Sequence, residues 1–96
     1  TCALPIYHGR RPMAVGTGSE HRMAEMLLRH LGLFNCFDAI VGADDVQRHK
    51  PEPDTFLRCA ELIGVRPEKC VVFEDADFGI QAAKSAGMAV VDVRTL

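Results

Sequence analysis

Three groups of polar residues have the residue types needed to bind a phosphate and a metal ion. Thr17-Gly18-Ser19 offers hydroxyls and backbone N–H groups, Lys50 lies in a loop with two prolines, and Glu74-Asp75 places two carboxylates side by side. A turn of this kind at a helix start cradles a phosphate, and an ammonium neutralises charge on an oxyanion. Adjacent carboxylates suit a hard cation such as Mg²⁺. The three groups together predict a phosphate-and-metal site.

Each group also has an interpretation that involves no chemistry. The Thr17–Ser19 turn would simply start a helix, with Ser19 as its N-cap. Lys50 would be a solvent-exposed lysine. Glu74 and Asp75 would cap the helix that follows, although Asp77 is the stronger cap candidate. The order of the groups and their positions after apolar runs favour the site.

The elements that must position these groups alternate between strands and helices. Continuous apolar runs predict strands at 13–17, 39–41, 70–73 and 88–91, and helices are predicted between them, ending at Gly32, Gly64 and Gly87. Such alternation with short connections predicts an α/β fold with a mainly parallel sheet, covered by helices on both faces. Ligands bind such sheets at the carboxyl ends of the strands. All three polar groups fall there.

Composition narrows the class of protein. The chain has 96 residues and a net charge of −2, so it is sized for one small domain and lacks the basic balance of nucleic-acid binders. It has no apolar run of about 20 residues and no signal-peptide pattern, so we expect a cytoplasmic protein without a membrane partner. The cysteines and histidines are dispersed, without zinc or redox spacing. Residues 1–7 stay unassigned, as foreign sequence or the end of a longer product.

The ordered motifs resemble those of haloacid-dehalogenase-type (HAD-type) hydrolases, in the β-phosphoglucomutase-like branch. The resemblance covers residues 8–96 and rests on VGTGS at 15–19, KPEPD at 50–54, VVFED at 71–75 and GIQAA at 79–83. Residues 9–15 and 73–79 look more narrowly like bacterial phosphatases acting on fructose 1-phosphate and 6-phosphogluconate. The resemblance implies a HAD-like Rossmannoid three-layer core with a mainly parallel sheet.

The resemblance also implies roles for the site residues. Thr17 would hydrogen-bond the transferring phosphoryl group with the Gly18 N–H, in a turn shared with Ser19. Lys50 would bridge the phosphate and a nucleophilic aspartate. Asp75 would bind Mg²⁺ directly, with Glu74 close by or acting through water. The implied reaction is hydrolysis of a small sugar phosphate through an aspartyl-phosphate.

The sequence departs from the family pattern in its first motif. The D-x-D-G-[TS] sequence, which carries the nucleophile and the acid/base, does not occur in this chain. In the family it lies on the first, central strand, between the strands that correspond here to 13–17 and 70–73, and a substrate-selecting helical cap follows it. We therefore expect the C-terminal part of a HAD-like core domain, inactive on its own.

Other functions stay open from the sequence. Phosphomutases of this branch place a lysine after the serine of the second motif, where this chain has Glu20, so a phosphatase is favoured. A phosphate-sensing, receiver-like module would carry paired acidic residues at the end of its first strand, and residues 12–17 contain none. A non-catalytic interaction module is a third possibility. The sequence predicts no oligomeric state.

Overall fold

A computed structural model describes residues 11–96 as four strands and three helices joined by short 3₁₀ turns. The elements are β1 (Ala14–Gly16), α1 (His21–His30), β2 (Ala39–Val41), α2 (Asp54–Ile63), β3 (Val71–Glu74), α3 (Asp77–Ser85) and β4 (Ala89–Asp92). The predicted α/β alternation is confirmed. Across residues 11–96, no helix has both the length and the apolar character needed to cross a membrane.

The helices end at the predicted C-terminal glycines, but they do not start with the predicted N-caps. Gly64 ends α2 in the left-handed conformation, with φ of 70°, as a glycine stop requires. The predicted caps of the other two helices are wrong. The N-cap of α1 is Glu20 rather than Ser19, and the N-cap of α3 is Ala76, so that Asp77 is the first residue of the helix.

The strands pair in parallel, as predicted, but in two separate sheets. β1 pairs with β2, with Val15 opposite Ile40, and β3 pairs with β4, with Val72 opposite Val90. Among residues 11–96, no strand pairing joins β1 to β3. The expectation that the family's central strand lies between them stays a prediction.

Two helices connect the sheets. α2 packs on β1 and β2, α3 packs on β3 and β4, and the two helices contact each other. Buried apolar side chains of α2, β3, α3 and the segment that follows α3 form one core, made of Phe56, Ala60, Val72, Ala82, Ala83, Ala86 and Met88. Burial of this apolar surface holds the carboxyl ends of β1 and β3 on the same side of the molecule.

The opposite face of β3 is open within the described part of the chain. Val72 is buried, but its neighbours Val71 and Phe73 are 55% and 69% exposed. Successive side chains of a strand point to opposite faces, so α3 covers one face only. The expectation of helices on both faces therefore does not hold for β3 among residues 11–96, because no described element lies against that face.

Candidate phosphate and metal site

Lys50 lies between the carboxyl ends of the two sheets. Its Nζ donates to the Gly16 carbonyl oxygen at the end of β1, at 3.3 Å, and to Oε2 of Glu74 at the end of β3, at 3.1 Å. The ammonium also lies 4.8 Å from the centroid of the Phe56 ring. Only 20% of the Lys50 side chain and 11% of the Glu74 side chain are exposed. The alternative of a solvent-exposed Lys50 is therefore wrong.

The Thr17 turn presents three donors at the end of β1, namely the hydroxyls of Thr17 and Ser19 and the N–H of Gly18. The Thr17 N–H donates to the Val41 carbonyl oxygen at 2.9 Å, which fixes the turn to β2. Thr17 Oγ1 accepts the Ser19 N–H at 3.1 Å, so its own hydroxyl proton is left to donate elsewhere. The Gly18 N–H has no acceptor among residues 11–96. Ser19 uses its N–H within the turn, and only its hydroxyl remains for a ligand.

Glu74 is held by its neighbours in the turn after β3. Its Oε1 accepts the N–H groups of Asp75 at 3.0 Å and Ala76 at 3.3 Å, while Oε2 pairs with Lys50. Gly79 of α3 lies against this carboxylate so closely that a Cβ at position 79 would overlap it. Both Glu74 oxygens therefore have partners, and the side chain orients Lys50 and the turn.

Asp75 and Asp77 differ in what their carboxylates contact. Arg94 donates from Nη2 to Asp77 Oδ1 at 2.9 Å and also binds Asp92, whose pKa the guanidinium lowers. The Asp75 carboxylate is exposed and has no hydrogen-bond or ion-pair partner among the described residues. Of these acidic residues, Asp75 is the one free to bind a cation.

The donor atoms of Glu74 and Asp75 fit Mg²⁺. Glu74 and Asp75 offer oxygen atoms, which Mg²⁺ prefers, and among residues 11–96 no histidine or cysteine of the kind that zinc sites use joins them. Within residues 11–96 no group of three or more metal-binding side chains occurs. A magnesium ion held by one or two carboxylates keeps its other positions for water and substrate phosphate.

A second acidic pair was missed by the sequence prediction. Asp44 Oδ1 accepts the His21 N–H at 2.8 Å, and Asp45 Oδ2 lies 2.6 Å from His21 Nδ1 and accepts the Gly42 N–H at 2.8 Å. The Asp45 contact raises the pKa of His21, and the Gly42 N–H lowers the pKa of Asp45. The signal was present: Asp44-Asp45 follows β2 shortly after its end, much as Glu74-Asp75 closes β3.

Comparison with known proteins identifies the family to which this chain belongs. A model of the haloacid dehalogenase-like hydrolases matches residues 7–87. Fructose-1-phosphate phosphatase YqaB of Escherichia coli is 70% identical over 90 residues, which cover 94% of this chain and 48% of that protein. Phosphorylated carbohydrates phosphatase of Thermotoga maritima is 44% identical over 87 residues, covering 90% and 40%. The chain thus spans half or less of the length of these relatives.

Solved structures agree on the fold. The crystal structure of β-phosphoglucomutase from Clostridium difficile matches with a TM-score of 0.83 and 32% identity, covering 93% of this chain and 39% of that one. Since the family model spans most of the sequence and the fold is shared, the chain belongs to the haloacid dehalogenase-like hydrolases.

Proposed function

We propose that this chain is the phosphate- and metal-binding part of a Mg²⁺-dependent phosphatase of small sugar phosphates, of the fructose 1-phosphate and 6-phosphogluconate type. The observation that supports this proposal most directly is the position of the Lys50 ammonium. It lies between the Gly16 carbonyl at the end of β1 and Glu74 at the end of β3. The names of the Escherichia coli and Thermotoga maritima relatives support the substrate class.

The donors of the Thr17 turn and Lys50 bind the phosphoryl group. The Thr17 hydroxyl and the Gly18 N–H donate to its oxygens, with the Ser19 hydroxyl at the edge of the turn. The Lys50 ammonium stabilises charge on the transferring group and orients the attacking aspartate. Because Lys50 is held by the Gly16 carbonyl and Glu74, its charge needs no reorganisation when substrate binds.

Asp75 would hold the magnesium ion directly, and Glu74 would lie beside it or act through water. The ion, when bound, shields the phosphate so that an anionic nucleophile can approach. Glu74 contributes by fixing the backbone N–H groups of Asp75 and Ala76, which sets the direction of the turn.

The family pattern places the nucleophile in D-x-D-G-[TS], which is not in this sequence. Hydrolysis through an aspartyl-phosphate requires that residue, so we propose that the 96-residue chain alone does not turn over. The extended protein used in the tests below carries the corresponding N-terminal segment of the Escherichia coli relative before this chain. We expect that extended protein to be active. A cytoplasmic location stays a prediction.

A phosphomutase is the second candidate, because a β-phosphoglucomutase shares the fold. Glu20 argues against it. This residue is exposed, directly follows the phosphate turn, and makes no side-chain cap bond to α1. Its carboxylate would repel a second phosphate, where a mutase of this branch needs a lysine. Bisphosphate-dependent isomerase activity in the extended protein would overturn this preference.

The test measures turnover of fructose 1-phosphate and 6-phosphogluconate, with and without Mg²⁺, by the 96-residue chain and by the extended protein. We expect activity only in the extended protein with Mg²⁺. Asp75→Asn should abolish it, whereas Glu68→Gln, a change at an exposed carboxylate before β3, should not. An extended protein that is folded but inert across a panel of sugar phosphates would refute the proposal.

A further inference from the structure

The segment after β2 holds the start of α1 through side chains that have no role in the proposed catalysis. We call residues 42–45 the acidic loop. Asp44 accepts the His21 N–H, Asp45 pairs with the His21 ring at 2.6 Å, and the Ala43 N–H donates to the Ser19 carbonyl oxygen at 2.8 Å. A Cβ at Gly42 would overlap the His21 backbone, so only glycine permits this approach.

The acidic loop also connects the two parts of the phosphate site. On one side it contacts Ser19 and His21, directly after the Thr17 turn. On the other side, the Ala43 carbonyl oxygen lies 2.9 Å from Nε2 of His49, the residue before Lys50. Because the acidic loop contacts both parts, breaking its contact with His21 would shift the phosphate-binding turn relative to Lys50.

The start of α1 depends on these outside carboxylates. Its N-cap, Glu20, makes no side-chain cap bond, and its first turn has no acidic residue. The free N–H groups and positive dipole of a helix start favour nearby anions and oppose a cation. Nearby carboxylates nonetheless raise the pKa of His21, first that of Asp45 and then those of Asp44 and Glu25. The positive charge of Arg58 in α2 helps to lower the pKa of Asp45.

We propose that His21 is a positioning residue for phosphate binding. The His21 ring lies 2.6 Å from Asp45 Oδ2, which also accepts the Gly42 N–H, and this contact fixes the Thr17 turn in its phosphate-binding geometry. Deprotonation leaves a weaker, neutral hydrogen bond, and loss of the ring leaves none. This role rests on the proposed function, because it concerns the same phosphate site.

The test follows the backbone amides of Gly18 and Ser19 by NMR in the extended protein as the pH is raised, and measures the dissociation constant for inorganic phosphate. His21→Asn keeps an N–H near the Nδ1 position but does not titrate. His21→Ala removes the contact. His30→Ala, at the exposed other end of α1, is the matched control.

We expect the two amide signals to follow the titration of the His21 ring in the wild type and not in His21→Asn. His21→Ala should weaken phosphate binding by about tenfold, as expected for a lost charge-assisted hydrogen bond, and His30→Ala should not. Because phosphate itself titrates near neutral pH, the diagnostic quantity is the difference between the wild type and His21→Asn.

The possible outcomes separate this role from the proposed function. If the amides follow the ring titration but the protein has no phosphatase activity, the positioning role stands and the function falls. If the amides ignore the ring titration and His21→Ala binds phosphate as the wild type does, the positioning role is wrong even in an active enzyme. Should His21→Ala fail to fold, the His21→Asn pH series alone decides.

Discussion

Lys50 and Glu74 form an ion pair across the space between the two sheets, with Nζ and Oε2 3.1 Å apart. β1 and β3 share no strand pairing within residues 11–96, so this pair and the core between α2 and α3 join their carboxyl ends. Both side chains are mostly buried. Removing one partner would leave the other charge without compensation, which is costly in a low-dielectric setting.

Replacing Lys50 should therefore affect both catalysis and stability. In the extended protein, Lys50→Met removes the charge that faces the phosphoryl group, and we expect kcat to fall by at least about 10²-fold. The unfolding free energy should also fall, by about 2 kcal/mol, because Glu74 loses its partner. Steady-state kinetics and urea unfolding measure the two effects. Lys84→Met, on the exposed side of α3, is the control, and wild-type kcat in Lys50→Met would contradict the assignment.

Gly79→Ala tests whether the Glu74 carboxylate is fixed in its position between Lys50 and α3. An alanine in a helix is ordinarily about 1 kcal/mol more favourable than a glycine. Here the added methyl would overlap the Glu74 carboxylate, and we expect a net loss of about 1–3 kcal/mol in unfolding free energy. Urea unfolding of the extended protein measures it, with Ser85→Ala at the end of the same helix as the control. Stabilisation by Gly79→Ala would show that Glu74 is free to move.

The sequence predicts the elements well because the strands are apolar runs and the glycines stop the helices. The strand Ala39–Val41 agrees with the prediction residue by residue, and α2 stops at Gly64 as predicted. The caps were harder, because capping depends on contacts from distant segments. Ser19 and Asp77 have the residue types of caps, yet the His21 N–H at the start of α1 donates to Asp44, and Asp77 is bound by Arg94, 17 residues away.

Contacts between distant segments also limited the prediction of the phosphate and metal site. Residue types and order were enough to propose Thr17, Lys50 and Asp75 as one site. That Glu74 binds Lys50 and its own turn depends on the distance between two sheets, which no local pattern encodes. The role of His21 depends on a contact 24 residues away along the chain and was missed for that reason.

The pair of His21 and Asp45 should make stability depend on pH in a defined direction. The pKa of His21 is raised above 6.5, so its contribution is complete below that value and is lost as pH rises through the raised pKa. The pKa of Asp45 is lowered below 3.8, so its contribution is present above that value and is lost as pH falls through the lowered pKa.

The pair therefore contributes most between these two ordinary values, and by no more than about 1 kcal/mol, because both side chains are partly exposed. Urea unfolding of the extended protein and its His21→Asn variant should show a stability difference near pH 6 that shrinks in more alkaline buffer. A difference that grows with rising pH would have the wrong sign for this account.

Cys59 and Cys70 are the free cysteines among residues 11–96, and they should differ in reactivity. Burial raises the pKa of the Cys59 thiol to about 11, and it also raises the pKa of the partly exposed Cys70. The thiolate is the reactive form, so we expect Cys59 to resist alkylation at neutral pH until the protein unfolds and Cys70 to react sooner. Mass spectrometry after timed treatment with iodoacetamide measures this. Equal labelling of both in the folded protein would contradict the described packing of α2.

The central claim is that Thr17 and Lys50 act on one phosphoryl group, and a double-mutant cycle tests it most directly. The measurement is kcat/KM for fructose 1-phosphate in the extended protein, for Thr17→Val, for Lys50→Met and for the double variant, with Thr95→Val and Lys84→Met as controls. Groups that act as a unit have strongly non-additive effects. We predict a large loss in each single variant and little further loss in the double variant, with both controls active. Activity retained in both single variants would contradict the account.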